Sequence, residues 1–153
     1  MRAKFADLAG LALAAVMMGC GSDPAGPGLA NGSFSAKIDG SAFSATVAIA
    51  ATYSGGILAV AGTDGQGRTI GLGGQVAAPG TFTVGPTSPT NFSLVTGSAG
   101  WQAAITLGSG SLTVTSISAT GAKGTFQFTA GPLAGTGATG NKVVTEGAFD
   151  VTF

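Results

Sequence analysis

The chain contains no histidine and one cysteine, Cys20. Without histidine, general acid–base work near neutral pH falls to carboxylates or lysines with displaced pKa values. Past the first 19 residues the bases are Lys37, Arg68, Lys123 and Lys142. The acids are Asp23, Asp39, Asp64, Glu146 and Asp150, leaving a net charge of −1. These groups are scattered along the chain. Glu146 and Asp150 come nearest to a pair: four residues apart in a strand, they share a face about 13 Å apart. That is too far for a glycosidase couple. No Ser stands three residues before any of the lysines, so a Ser-x-x-Lys nucleophile is missing as well. No catalytic residue is assigned, and the chain is not expected to be an enzyme.

Two patterns resemble ligand loops. Asp64-Gly65-Gln66-Gly67 is faintly like a cation loop, but calcium takes several oxygen ligands, usually with more than one carboxylate, and Asp64 has no acidic neighbour. A turn is expected there. Gly135-Thr136-Gly137-Ala138-Thr139-Gly140 matches G-x-G-x-x-G, which binds a dinucleotide only between a strand and a helix. Here Val143-Val144-Thr145 follows, so the segment reads as a hairpin loop. With one cysteine and no histidine, neither an internal disulfide nor a Cys/His metal cluster can form. No metal or cofactor is expected. No basic stripe exists to neutralise phosphates, so nucleic acid is not an expected partner. Trp101 and Tyr53 offer aromatic surface for a sugar or apolar ligand. Trp101, however, heads the alternating run Trp101, Ala103, Ile105, Leu107 and so reads as core. Tyr53 reads as half-buried at a strand end.

Cys20 has a different chemistry open to it. Arg2 and Lys4 precede an apolar stretch, Leu8 to Met18, which is too short to span a bilayer. Gly19-Cys20-Gly21-Ser22 follows directly. This resembles the lipobox of bacterial lipoproteins. Gly19 supplies the small residue before the cysteine; Met17 and Met18 keep the apolar character but depart from the usual residue types. The resemblance implies cleavage between Gly19 and Cys20, a diacylglyceryl group on the thiol and an acyl chain such as palmitate on the new amine. Each buried CH₂ adds roughly 0.8 kcal/mol of membrane affinity, so two or three chains hold where one holds only reversibly. Gly21 to Gly32, rich in Gly and Pro, reads as a tether. Asp23 lies at the third position after Cys20, not the second. Resemblance to proteobacterial lipoproteins then implies export to the outer membrane.

The elements that must carry any site are strands. From Ser33 onward hydrophobic residues recur at every second position, with turn signals every eight to twelve residues. Phe34, Ala36 and Ile38 alternate with polar residues up to an Asp39-Gly40 turn. Phe43, Ala45, Val47 and Ile49 continue as one strand. Near Thr115-Ser116 the alternation changes face, which predicts a β-bulge. Residues 1–19 are thus a signal peptide, 20–32 a lipidated tether, and 33–153 one all-β domain. The domain is expected to be an antiparallel β-sandwich or partly closed β-barrel of about ten strands. Its predicted core comprises Phe34, Ile38, Phe43, Val47, Phe82, Trp101, Ile105, Phe126, Phe128, Phe149 and Val151.

Three stretches together resemble a family of bacterial envelope lipoproteins whose domain has no assigned function. They are Phe34 to Ala45 around the Asp39-Gly40 turn, Pro79 to Gly85, and the strand-and-turn series from Gly108 through Lys123–Ala130 to Glu146–Phe153. Such proteins often carry Trp where this chain has Phe43. The resemblance implies the fold and the envelope location and transfers no catalytic residue. The expected role is a membrane-anchored, non-catalytic module: structural, adhesive or accessory to an envelope protein partner. The alternative is a β-domain that binds a sugar or apolar small molecule.

Overall fold

The computed structural model describes residues 30–153. The expected signal peptide, the Gly19–Cys20 junction and most of the expected tether therefore lie outside the described residues. Twelve strands follow one another: β1 (Gly32–Ile38), β2 (Ser41–Ser44), β3 (Ala48–Ser54), β4 (Ile57–Thr63), β5 (Arg68–Gln75), β6 (Gly80–Gly85), β7 (Ser88–Pro89), β8 (Asn91–Thr96), β9 (Ala99–Ala103), β10 (Ser109–Ile117), β11 (Gly121–Pro132) and β12 (Lys142–Thr152). All pairings are antiparallel. Asp39 (φ 48°) and Gly40 (φ 82°) both take the left-handed conformation that a two-residue hairpin turn requires, and Ile38 lies opposite Ser41.

The strands form one curled sheet, a half-barrel, running β2-β1-β12-β11-β9-β8-β5-β4-β3, with β10, β6 and β7 branching from β11. The branch point is the twelve-residue β11. One of its edges pairs with β10 up to Thr129, then passes to β9 at Gly131 and Pro132. Two layers result: β1, β2, β6, β10, β11 and β12 in the first, and β3, β4, β5, β8 and β9 in the second. Between them lies an aromatic chain. Phe34 meets Phe43 edge-on and tilts against Phe126 with ring centres 5.1 Å apart; Phe92 of the second layer stacks on Phe128 at 4.8 Å. Gly62 has to be glycine here: a Cβ on it would sit 2.7 Å from the Phe34 ring.

Of the predicted core, Phe34, Ile38, Phe43, Trp101, Phe126, Phe128, Phe149 and Val151 are buried. Phe82 is half-buried at the margin of the core. Val47 and Ile105 are exposed, at 63% and 60%. The run from Phe43 to Ile49 is not one strand. Ala45 still donates to the Phe34 carbonyl in the first layer, whereas Val47 donates to Thr63 in the second. Val47 thus stands at the corner where the chain changes layer. Ile105 sits at a turn closed by reciprocal bonds between Ala104 and Leu107, which ends the alternation two residues after Ala103. The split of that run and the two-residue β7 account for twelve strands in place of about ten.

The bulge near Thr115-Ser116 is present, as a register shift between Val114 and Ser116 against β11. A second one interrupts the central strand β12. Its register slips by one residue against β1, between Ser35 and Lys37, and against β11, between Phe126 and Phe128. The extra residue moves the buried positions from Val144 to Gly147, Phe149 and Val151.

Candidate functional site

The four carboxylates and four cations of the described residues pair off one to one. Lys37 meets Glu146 at 2.8 Å, Lys123 meets Asp150 at 2.7 Å, Lys142 meets Asp39 at 2.7 Å, and Arg68 meets Asp64 at 2.6 Å. The first three pairs are largely exposed, so each is worth about 0–1 kcal/mol. They do not gather into one site, and no group of three or more metal-ligating side chains occurs among the described residues.

The Asp64–Arg68 pair is different in kind, a buried carboxylate against a half-buried guanidinium. Asp64 is 5% exposed. One carboxylate oxygen accepts from the amides of Gln66 and Arg68; the other accepts from Arg68 Nε at 2.7 Å. Burial by itself pushes the carboxyl pKa up. The Arg68 amide, its guanidinium and the Gln66 amide outweigh that, and the group sits below the ordinary carboxylate value. The same guanidinium donates to the Ala42 carbonyl of β2 and lies over the Phe43 ring, 5.6 Å from its centre. Asp64-Gly65-Gln66-Gly67 is therefore a turn whose carboxylate is taken up by the β4–β5 hairpin, as its lack of acidic neighbours implied. Asp39 is also held below its usual value, first by Lys142 and then by the Val143 amide, both of which donate to it.

Trp101 is core, as expected. Its indole N–H donates to the Gly140 carbonyl at 2.9 Å, and Lys142 stands over its ring. Tyr53 is half-buried, donates to the Val76 carbonyl and stacks on Phe153. Gly135–Gly140 forms the loop between β11 and β12, with Gly135, Gly137 and Gly140 at positive φ.

A large and a smaller concavity lie on the outer faces of the sheet. The larger, about 790 Å³, covers β3, β4, β5 and the start of β8. Its floor follows the cross-strand row Ala50, Ala61, Gly71, Ser93 and the row Thr52, Ala59, Gly73, and no charged residue lines it. The smaller, about 410 Å³, lies on β10, β11 and β12, with Ser111, Thr113, Thr125, Gln127 and Glu146 around a floor that includes Phe126, Gly147 and Ala148. Thr113 shares a hydrogen bond with Thr81, while Thr125 and Gln127 are exposed and Ser111 half-buried.

Glu146 enters this second space from the β12 bulge. Its φ of 51° makes it, with Asp39, one of two non-glycine residues at positive φ among the described residues. Asp39 is accounted for by its tight turn and its bond from the Val143 amide. Glu146 takes its positive φ in the bulge, where glycine is the usual residue: the left-handed conformation costs about 1–3 kcal/mol there, and its exposed contact with Lys37 returns less than that. Glu146 and Asp150 share an exposed face, but each is bound to its own lysine. The bulge that sets Glu146 apart was not read from the sequence, although a glycine inside a strand, Gly147, is the usual sign of one.

A family described as a domain of unknown function (DUF6252) matches residues 30–151. No curated protein and no solved structure matches the chain.

Proposed function

The chain belongs to the DUF6252 family of domains of unknown function, and from that premise we propose that it is a lipid-anchored, non-catalytic module of the bacterial cell envelope, structural, adhesive or accessory to an envelope protein. One observation carries the non-catalytic part: every side-chain carboxylate of the described residues is engaged by its own cation, and none is paired with a second acid. A carboxylate raised toward neutrality needs burial without compensation or a close like charge. Asp39 and Asp64 are held below the ordinary carboxylate value instead.

The address rests on Arg2, Lys4, the apolar run to Met18 and Gly19-Cys20. Cleavage before Cys20, acylation there, palmitate among the chains, and placement on the outer membrane form one connected reading. Its test is the intact mass of the protein extracted from membranes, together with incorporation of an alkyne-palmitate label. Loss of the first 19 residues plus an acyl increment is the expected result, and Cys20→Ser should abolish both the label and the membrane association. A wild-type mass without an acyl increment would overturn the anchor. Reproducible turnover in a broad substrate screen, lost on changing a carboxylate to its amide, would overturn the non-catalytic reading independently.

A further inference from the structure

The bulge in β12 spends backbone strain on a residue that the fold does not need to be glutamate. This bulge places one residue in the left-handed region, where glycine carries no Cβ penalty. The chain places Glu146 there, immediately before Gly147. Gly147 itself is required by packing, since a Cβ on it would meet the Phe126 ring and carbonyl at 2.5 Å. The bulge thus presents a carboxylate at the rim of a polar concavity, and stability does not repay it. Observed strain of this sort points to function.

The surroundings say what kind of ligand fits. Ser111, Thr113 and Thr125 bring hydroxyls, which donate and accept; Gln127 brings an amide, which does both; Glu146 accepts. Lys37, 2.8 Å from Glu146, cancels its charge. The result is a dense, electrically balanced array of donors and acceptors in about 410 Å³, inside the size range typical of small-molecule sites. An anion finds no net positive charge here, and an apolar molecule would strand these groups without partners. A neutral molecule covered in hydroxyls satisfies them. We infer that the concavity over β10, β11 and β12 is a binding site for a neutral saccharide, with Glu146 and Gln127 as its principal hydrogen-bonding side chains. This rests on the non-catalytic reading above, for it takes the saccharide to be held and not cleaved.

The test is titration of the isotope-labelled full chain with maltotriose, cellotriose and triacetylchitotriose, followed by amide chemical shifts, with the sugar recovered afterwards. At least one trisaccharide should move the signals of residues 111, 113, 125, 127 and 146 together. Glu146→Gly and Gln127→Ala should each weaken that binding tenfold or more, while the melting temperature of Glu146→Gly stays level or rises because the strain is relieved. Three results would overturn the site: no shifts with any probe at millimolar concentration, shifts confined to the groove over β3–β5, or a Glu146→Gly variant that melts lower yet binds as well as wild type. Recovery of cleaved sugar would keep the site and overturn the non-catalytic reading, so the two failures are told apart.

Discussion

The first layer of the half-barrel gives the core its rings: Phe34, Phe43, Phe126, Phe128 and Phe149. The second gives it mainly aliphatic groups, Ile49, Leu58, Val60, Ile70, Leu72 and Leu94, around Phe92 and Trp101. Their outer faces differ more sharply still. Three ion pairs and a field of Ser, Thr and Gln cover the first, whereas Ala, Gly, Ser and Thr, without charge, line the hollow of the second. One antiparallel ladder thus carries two surfaces with opposite chemistry. A strand fixes only which residues point in and which point out; what an outward position carries is left free for solubility or recognition.

The comparison can be broken at its strongest point first. Phe126→Ala removes the ring that touches Phe34, Phe92 and Phe128 and should cost about 3–5 kcal/mol in urea unfolding. Leu72→Ala in the second layer is expected at the lower part of the roughly 2–5 kcal/mol range for aliphatic truncation. A larger loss at Leu72 would show that the aliphatic layer, not the aromatic one, anchors the core.

Next comes the contact that locks the layers together. Asp64→Asn leaves the half-buried Arg68 guanidinium without its counter-charge, and should cost about 1–3 kcal/mol at pH 7. The folded pKa of Asp64 is depressed, so its contribution is fully present above the unfolded carboxylate value, near pH 4. It fades as the pH falls through the lower folded value. Wild type should therefore lose stability below about pH 4 more steeply than Asp64→Asn. Parallel slopes, measured by urea midpoints from pH 7 to pH 3, would contradict the lock.

Glycines separate the layers at the next level of effect. Gly147→Ala drives a methyl into Phe126 and should cost about 1–3 kcal/mol. Gly73→Ala, on the open outer face of β5, meets the Asn91 amide and the Leu58 carbonyl at ordinary contact distance and should stay within about 0.5 kcal/mol of wild type. Thermal melts of the pair would show whether the hollow over the second layer has the room its geometry implies. The smallest effect is at the surface: Lys123→Ala breaks the exposed pair with Asp150 and should cost under about 1 kcal/mol, shrinking as salt is added.

Much of this architecture was legible from residue types alone. Alternation marked the cores of β1, β8, β11 and the end of β12; the Asp39-Gly40 turn and the bulge beside Thr115 were visible because their signals are local. Val47 and Ile105 misled because alternation continues across a corner and a turn that only partner strands reveal. The second bulge was missed because Val143-Val144 and Phe149-Val151 each fit a strand, and the slip between them shows only against β1 and β11. Of the polar groups, the isolation of Asp64 was legible; its reach through Arg68 to Ala42 and Phe43 was not, because it joins residues 26 apart in sequence. The scattered charges likewise gave no hint that each had a dedicated partner.

The position of β12 between β1 and β11 also sets a clock. The β1–β2 hairpin is local and can close in about 1–10 μs. Gly32, however, waits for Val151 and Phe34 for Phe149, from the far end of the described chain. Loop closure over such a span comes before any contact rewards it, which places refolding in the range of milliseconds to seconds seen for β-rich topologies. Throughout that interval one edge of β1 and the Phe34 ring stand uncovered, so the nascent domain passes through a sticky stage in which a holdase, or simple dilution, decides between the half-barrel and aggregate.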